Sequence, residues 1–229
     1  MVIEEPLSQE VLDALRRYDS PTLSNAIETF DVRPRDEGFA SMEIRDLFPE
    51  MGVMVGYAAT ATIRARGRGE GDADQSPLWA LVRSLPMPRV VVIQDLDDPP
   101  GHGAFWGEVQ SNIYHALGCA GAVTDGCVRD LKEVRELGFY FFARGPGVSH
   151  AYVRLEQVGV PVRVGGLAVR PGDLVHADQH GVLLIPKPIA AALPAAADRI
   201  IEREQEFIRW VRSAEFDPDR LAEMRRVRH

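Results

Sequence analysis

Apolar residues recur every three to four positions near both ends of the sequence. The first such run follows Ser8, and the second follows Ser20 and Pro21, a plausible N-cap with a proline in the first turn. Near the other end, residues 195–213 again place apolar side chains at helical spacing. We therefore predict N-terminal helices within residues 8–30 and an amphipathic C-terminal helix over residues 195–213.

Between these segments, unbroken apolar runs alternate with amphipathic ones. The runs at 89–95, 121–124 and 139–144 have the length and composition of strands that are buried on both faces. The intervening segments have helical spacing, and the second of them ends at Gly138, a residue suited to a left-handed C-terminal position. On the first intervening helix, four apolar residues are expected to share the buried face: Val109, Ile113, Ala116 and Leu117.

Strands that alternate with helices predict a parallel α/β core, which we place within residues 51–187. After Gly145, short apolar runs alternate with glycine turns, which predicts a β-rich second half of that core. No repeat, linker or low-complexity run divides the sequence. We expect one domain over residues 1–229.

Composition narrows the possible partners and compartment. The chain of 229 residues carries 26 basic and 34 acidic residues, a formal net charge of -8, and its arginines form no basic stripe, so we do not expect it to bind nucleic acid. No window has the roughly 18 apolar residues of a membrane span, and the acidic N-terminus is unlike a signal peptide. Cys119 and Cys127 are too few for a disulfide framework, and a cytoplasmic protein is expected.

Two polar loops follow neighbouring predicted strands. In a parallel sheet both loops leave the carboxyl ends of strands, where ligands bind, so they are expected to share one crevice. The first, GHGAFWGE, leads into a helix at Gly107, whose exposed N–H groups could hold an anion such as a carboxylate. The alternative is a flexible turn in which Glu108 only favours the helix dipole.

The second loop, DGCVRD, ends in Arg129 and Asp130. The guanidinium suits a carboxylate or an enolate oxygen, and the carboxylate suits Mg²⁺ or Mn²⁺. In the alternative, Asp130 caps the helix that starts at Leu131, and Arg129 pairs with Glu133 one turn on. Spacing leaves both interpretations open.

The histidines are weaker candidates. His176 and His180 are four residues apart, but they lie at a predicted strand end or turn and lack the internal glutamate of a zinc-protease helix, so we expect no metal there. His102 and His150 lie in glycine-containing loops and are expected to line a pocket.

Residues 106–145, WGEVQSNIYHALGCAGAVTDGCVRDLKEVRELGFYFFARG, resemble the core motif of one family. It comprises the regulator of ribonuclease activity A and the class II 4-hydroxy-4-methyl-2-oxoglutarate / 4-carboxy-4-hydroxy-2-oxoadipate aldolases, and the likeness runs from about Val53 to about Phe207. The resemblance implies an α/β fold, a layered swivelling β/β/α domain with helices at both termini. It also implies a homotrimer or hexamer with sites at subunit interfaces.

The resemblance also implies residue roles. Backbone N–H groups of Gly107, Glu108, Val109 and Gln110 would hold the carboxylate of a small 2-oxo acid substrate, and Arg129 would bind the carbonyl oxygen as an enolate forms. Asp130 would ligate a divalent metal cation, Mg²⁺ or Mn²⁺, and Glu108, where members often have aspartate, would orient water there. One glutamate of a neighbouring subunit's C-terminal helix would approach the metal, with three candidates here: Glu202, Glu204 and Glu206.

The activity implied is a metal-dependent pyruvate aldolase that cleaves a 4-hydroxy-2-oxo acid, with oxaloacetate decarboxylation as a side activity. The only lysines, Lys132 and Lys187, are not expected in the crevice, so no Schiff base is expected. Phe105 and Trp106 are expected at its rim, which favours a distal half of the substrate unlike the family's usual dicarboxylates. Two alternatives remain: a non-catalytic regulator that binds an RNA-processing enzyme, and another metal-assisted reaction on a related 2-oxo acid.

Overall fold

Helices and strands alternate through most of the computed structural model, which describes residues 6–69 and 74–222. The α-helices are α1 (Gln9–Leu15), α2 (Ser20–Glu28), α3 (Ser76–Ser84), α4 (Glu108–Ala116), α5 (Leu131–Leu137) and α6 (Leu193–Val211). The strands are β1 (Arg45–Asp46), β2 (Met54–Arg64), β3 (Arg89–Asp95), β4 (Cys119–Thr124), β5 (Cys127–Val128), β6 (Tyr140–Ala143), β7 (Gly145–Pro146), β8 (Arg154–Val158), β9 (Val162–Val164), β10 (Leu167–Val169), β11 (Leu174–Asp178) and β12 (Gly181–Ile185). Short 3-10 helices lie at Pro49–Met51, Lys187–Ala192 and Pro218–Arg220.

The main sheet has the strand order β1-β6-β4-β3-β2-β11-β12, and β8 pairs with the far half of β2. Its central strands β2, β3, β4 and β6 run parallel, and Val92 stands opposite both Thr60 and Val123. Strands β11 and β12 are antiparallel additions at one side. The predicted parallel α/β core is therefore confirmed, because α3, α4 and α5 connect the parallel strands in succession.

One extended segment joins the two edges of this sheet. The N–H of Ala40 donates to the carbonyl oxygen of Val182 on β12 (2.9 Å), and a few residues later β1 pairs with β6, with Arg45 opposite Ala143. The sheet is consequently a nearly closed, barrel-like surface rather than an open layer. Closure satisfies backbone groups at both edges, which would otherwise be free to pair with another chain.

Three apolar clusters fill the fold. One lies between the outer face of the sheet and α3, α4 and α5, and a second lies beneath α1, α2 and α6. The third fills the barrel interior, where alternate residues of the strands, among them Met54, Val92 and Phe142, meet β9 and β10. Strand β2 serves all three clusters, which explains why ten of its eleven residues are buried. None of the described helices combines the length and apolarity that crossing a membrane needs.

Two local predictions were wrong in detail. Helix α2 is capped by Asp19, whose carboxylate accepts from the N–H of Thr22 (2.8 Å), and Ser20 is already helical. Helix α4 buries Ser111 and Tyr114, because its first turn projects beyond the sheet and leaves Val109 70% exposed.

Helix α6 confirms the predicted amphipathic C-terminal helix, with bounds two residues earlier at each end. It buries residues of its first two turns, Leu193, Ala196 and Ala197, against α2 and α1, whereas Ile208 and Val211 near its C-terminus are 43% and 37% exposed. The apolar stripe therefore continues along the helix beyond the part that the core covers.

Candidate active site

The two polar loops meet side by side, as their positions in the sequence suggested. Trp106 and Val128 form a parallel β-bridge, and the N–H of Arg129 donates to the carbonyl oxygen of Trp106 (3.0 Å). These contacts fix the start of α4 next to the start of α5. A cleft of about 250 Å³ opens between them.

The wall of this cleft includes the residues of one subunit to which the family resemblance assigned substrate and metal roles: Gly107, Glu108, Val109, Gln110, Arg129 and Asp130. Glu108 and Val109 are exposed at its mouth, while Gly107 is buried at its base. The side chains of Arg129 and Asp130 are 38% and 36% exposed, so both can reach a ligand and neither is fully solvated. The geometry brings the proposed set together, and the individual roles stay predictions.

Asp130 occupies a strained position. Its backbone is left-handed (φ 58, ψ 42), a conformation that costs a residue other than glycine about 1 kcal/mol or more and that recurs at functional sites. Its side chain does not cap α5; instead Oδ2 accepts from the N–H of Glu108 at the start of α4 (2.9 Å). Arg129 Nε lies 3.7 Å from the same oxygen rather than pairing with Glu133. The interpretation of this pair as a simple cap and a surface ion pair is therefore wrong.

Gly107 is required by the close approach of the two loops. A Cβ atom at this position would lie 2.5 Å from Asp130 Oδ2 and 3.1 Å from Arg129 Cγ and Nε. Its φ of -164 is extended backbone that any residue adopts, so the constraint is space and not conformation. Contacts across the glycine hold the guanidinium and the carboxylate against the N-terminus of α4.

Comparison with known proteins identifies the family. The sequence profile of the RraA-like family, described as Aldolase/RraA, matches residues 10–184. The chain belongs to the Aldolase/RraA family.

Among RraA-like relatives, the chain is similar to a 4-hydroxy-4-methyl-2-oxoglutarate aldolase of Thermus thermophilus, with 42% identity over 73 residues, 31% of this chain and 44% of that protein. It is also 36% identical over 85 residues to a Halalkalibacterium halodurans protein that is provisionally named as the same aldolase, 37% of this chain and 40% of that protein. The chain thus spans less than half the length of these two relatives.

The fold is shared with a solved RraA-like structure. Streptomyces coelicolor RraAS2, an unusual member of the RNase ES inhibitor RraA protein family, is similar with a TM-score of 0.70 and 26% identity, over 90% of this chain and 98% of that one.

The cleft of this RraA-like chain fits a divalent cation held mostly by water and substrate. No group of three or more His, Cys, Asp or Glu side chains suited to a metal occurs in residues 6–69 and 74–222. However, Oδ1 of Asp130 accepts no hydrogen bond from the described residues and faces the cleft beside Glu108. One or two carboxylates with several waters is the donor set that Mg²⁺ accepts. Asp130 would hold the ion here, and Glu108 would orient its water.

Trp106 lies beneath the site. The sequence had suggested that it reaches the rim of the cleft, and it does not. Its ring is 1% exposed and packs against Tyr114 (centroids 5.0 Å apart) and Phe139 (5.7 Å). Phe105 is 7% exposed and lines the cleft with one face. The prediction failed for Trp106 because a glycine-rich loop can turn a large side chain inward, where burying it stabilises the fold by about 2 kcal/mol or more.

Other segments supply cleft residues that the sequence did not single out. Gln75 comes from the start of α3 and Arg154 from β8, far away in the chain. His150 lines the cleft as expected, whereas His102 is not among the cleft residues within the described chain. Only the topology, in which β8 pairs with β2, carries Arg154 to this position.

Asp125 belongs to a different structure from Arg129 and Asp130. Its Oδ1 accepts from the N–H of Asp95 (2.7 Å), which ties the ends of β4 and β3 together. Burial raises the pKa of Asp125 to about 6 and also raises the pKa of Asp95. Asp125 lines a second, open groove together with Arg144.

The two spaced histidines are structural. His176 is fully buried, with Nδ1 2.9 Å from Ser20 Oγ, and His180 Nδ1 lies 3.3 Å from Asp178 Oδ1. The first contact fastens the start of α2 to β11, and the second lies within the β11–β12 turn. The expectation that they form no metal pair stays a prediction.

Proposed function

We propose that this chain is a divalent-metal-dependent pyruvate aldolase that cleaves a 4-hydroxy-2-oxo acid through a pyruvate enolate. The observation that carries the proposal is the union of three groups across Gly107: the N-terminus of α4, the guanidinium of Arg129 and the carboxylate of Asp130. A helix N-terminus binds a carboxylate, and a guanidinium next to it can meet the neighbouring oxo group. The aldolase names of the relatives support a small 2-oxo acid as substrate.

The cleft residues have separate roles in the proposed cleavage. Backbone N–H groups of Gly107, Val109 and Gln110 bind the carboxylate and fix C1 of the substrate at the base of the cleft, because the Glu108 N–H already donates to Asp130 Oδ2. The Arg129 guanidinium donates to the C2 oxygen, on which negative charge develops as the C3–C4 bond breaks. The C4 hydroxyl loses its proton, C4 becomes the carbonyl carbon of the departing product, and C3 is then protonated to give pyruvate.

The cation supplies Lewis-acid stabilisation of the same C2 oxygen when it is bound, and Mg²⁺ or Mn²⁺ suits the oxygen donors. Asp130 would hold the cation, and Glu108 would orient water at the mouth of the cleft. Loss of CO₂ from oxaloacetate leaves the same enolate, so decarboxylation is proposed as a side activity.

We further propose a homotrimer or hexamer with the cleft at the subunit contact. Val109, Val148 and Tyr152 are 70%, 97% and 52% exposed, and apolar side chains exposed to this degree are suited to a subunit contact. A glutamate of α6 from the neighbouring subunit, Glu202, Glu204 or Glu206, would complete the site. Free thiols at Cys119 and Cys127 suit a cytoplasmic location.

A coupled assay of pyruvate release tests the activity. The substrates are 4-hydroxy-2-oxo acids and oxaloacetate, with Mg²⁺ or Mn²⁺ and then with a chelator. We expect turnover that the chelator abolishes and that returning the metal restores. Absence of metal-dependent turnover on every substrate would refute the proposal.

The second candidate is a non-catalytic regulator that binds an RNA-processing enzyme. The likeness to RraAS2 over 90% of this chain favours it. Inhibition of a purified ribonuclease of the E type by this protein, together with no lyase activity, would select this function. A different metal-assisted reaction on a related 2-oxo acid loses its main support, because Trp106 is buried and does not shape the rim.

A further inference from the structure

We infer that the cleft selects substrates whose distal group, beyond C4, is small, apolar and uncharged, and disfavours those with a second carboxylate. The inference rests on the proposed function and names the substrate class of that site. Its basis is how the charges on the cleft wall are already paired. The wall away from Asp130 carries the groups that would contact a distal substituent.

Two arginines line the cleft within the described residues, Arg129 and Arg154. Arg129 is committed to the C1–C2 end of the substrate, since it lies against Asp130 and the start of α4. Arg154 is the one that could meet a distal carboxylate. A second carboxylate in a partly desolvated cleft needs such a partner, because an unpaired buried charge costs several kcal/mol.

Arg154 is already occupied. Its Nε lies 3.0 Å from Glu156 Oε1, and its Nη1 donates to the carbonyl oxygen of Gly67 (3.1 Å). Its side chain is 23% exposed, so these contacts are only partly screened by water. The ion pair with Glu156 neutralises the charge of Arg154. The guanidinium also links β8 to the loop after β2.

Apart from Gln75 and His150, the rest of that wall is apolar. Ala104, Phe105, Val153 and Leu155 line the cleft beside Arg154, and Val109 stands exposed at the mouth. His150 also lines it, but its Nδ1 lies 2.8 Å from the carbonyl oxygen of Ala151 and thus donates there. Apolar walls bind an alkyl group at about 0.8 kcal/mol for each buried methylene.

The balance of charge points the same way. With Arg154 paired, the cleft keeps the carboxylates of Glu108 and Asp130 against the single positive charge of Arg129. A divalent cation and one substrate carboxylate bring the groups of this chain to neutrality, and the glutamate proposed from the neighbouring subunit adds a further negative charge. A second substrate carboxylate leaves an excess negative charge in a space of about 250 Å³.

The experiment compares two substrates. 4-Hydroxy-2-oxopentanoate splits at C3–C4 into pyruvate and acetaldehyde, and 4-hydroxy-4-methyl-2-oxoglutarate splits into two molecules of pyruvate. We expect kcat/KM to be at least about tenfold higher for the first, which is about 1.4 kcal/mol in the transition state. An equal or higher kcat/KM for the dicarboxylate would overturn the inference.

Two variants test the pairing itself. Glu156→Gln releases the charge of Arg154 and is expected to raise the relative kcat/KM for the dicarboxylate about tenfold, whereas Glu156→Asp keeps the charge and should leave the ratio within about threefold. Glu156 is exposed, so neither change threatens the fold. An unchanged ratio in Glu156→Gln would overturn the role given to Arg154.

Deuterium exchange at C3 of pyruvate, followed by NMR in D₂O, distinguishes failure of the inference from failure of the proposed function. The exchange needs the enolate site but no distal group on the substrate. Exchange together with dicarboxylate preference would overturn the inference alone. No metal-dependent exchange would overturn the proposed function and, with it, the inference.

Discussion

Replacing Gly107 with alanine moves the candidate site without removing any of its chemical groups. The new Cβ atom would lie 2.5 Å from Asp130 Oδ2, and real Cβ contacts essentially never fall below 3.0 Å. The carboxylate must therefore recede by roughly 0.5 Å or more, since close-packed atoms have no slack to absorb the overlap. The contacts of 3.1 Å to Arg129 Cγ and Nε must yield as well.

This displacement has a calculable cost. A misplacement of about 1 Å of positioned catalytic groups lowers rates by up to about 10²-fold, equivalent to about 2.7 kcal/mol. Because Asp130 and Arg129 are both displaced, we expect kcat/KM for Gly107→Ala to fall about 30- to 100-fold. The hydrogen bond from the Glu108 N–H to Asp130 also weakens, which costs about 1 to 2 kcal/mol of stability.

The assay is metal-dependent pyruvate release, with urea unfolding measured on the same preparations. Gly126→Ala is the matched control, because Gly126 lies in the same loop as Arg129 but its Cβ would meet Thr124 Oγ1 at 3.2 Å and Asp95 Oδ2 at 3.3 Å, outside the cleft. We expect the control to keep kcat/KM within about threefold of the parent protein. A folded Gly107→Ala protein with parental kcat/KM would refute the assignment of the site to Arg129 and Asp130.

Three further predictions concern single charged groups. Arg129→Ala should lower kcat about 10²- to 10³-fold in the pyruvate assay with the fold intact, since it removes the donor to the enolate oxygen, and near-parental turnover would contradict that role. Asp130→Asn should weaken Mn²⁺ binding at least about tenfold by titration calorimetry, because it removes the charged ligand but keeps an acceptor for the Glu108 N–H, and unchanged affinity would contradict metal ligation. Burial raises the pKa of Asp125 from 3.8 to about 6, so its protonated form favours the folded state, and stability is lost as pH rises from about 4 to about 6. Asp125→Asn should therefore gain up to about 3 kcal/mol over the parent at pH 8 but little at pH 4 in urea unfolding, and an equal difference at both values would contradict the shift.

Much of the core could be predicted from the sequence because it depends on local patterns. The apolar run of β3 and the left-handed Gly138 at the end of α5 follow from residue type and spacing alone. The pairing of the two polar loops followed from a general property of parallel sheets, and the bridge between Trp106 and Val128 realises it.

Other features depend on contacts between distant residues and left no local signal. The bond from the Glu108 N–H to Asp130 spans 22 residues, and spacing could not distinguish it from a cap on α5. Closure of the sheet depends on residues near Ala40, whose sequence has no strand pattern. Asp19 and Ser20 are both good N-caps, and the choice between them depends on Asp178, which accepts from the Ser20 N–H (2.7 Å).

The buried aromatic cluster explains how two exposed loops can hold a defined geometry. Trp106 contributes its ring to the core and, one peptide away from Gly107, its carbonyl oxygen to the Arg129 N–H. Any shift of the first loop must therefore disturb a fully packed side chain, and core packing resists such shifts. Rigidity of this kind keeps the guanidinium and the start of α4 in register before a ligand arrives, so less free energy is needed to organise them on binding. The large residue in a glycine-rich loop is thus explained by the position of Arg129 and not by contact with substrate.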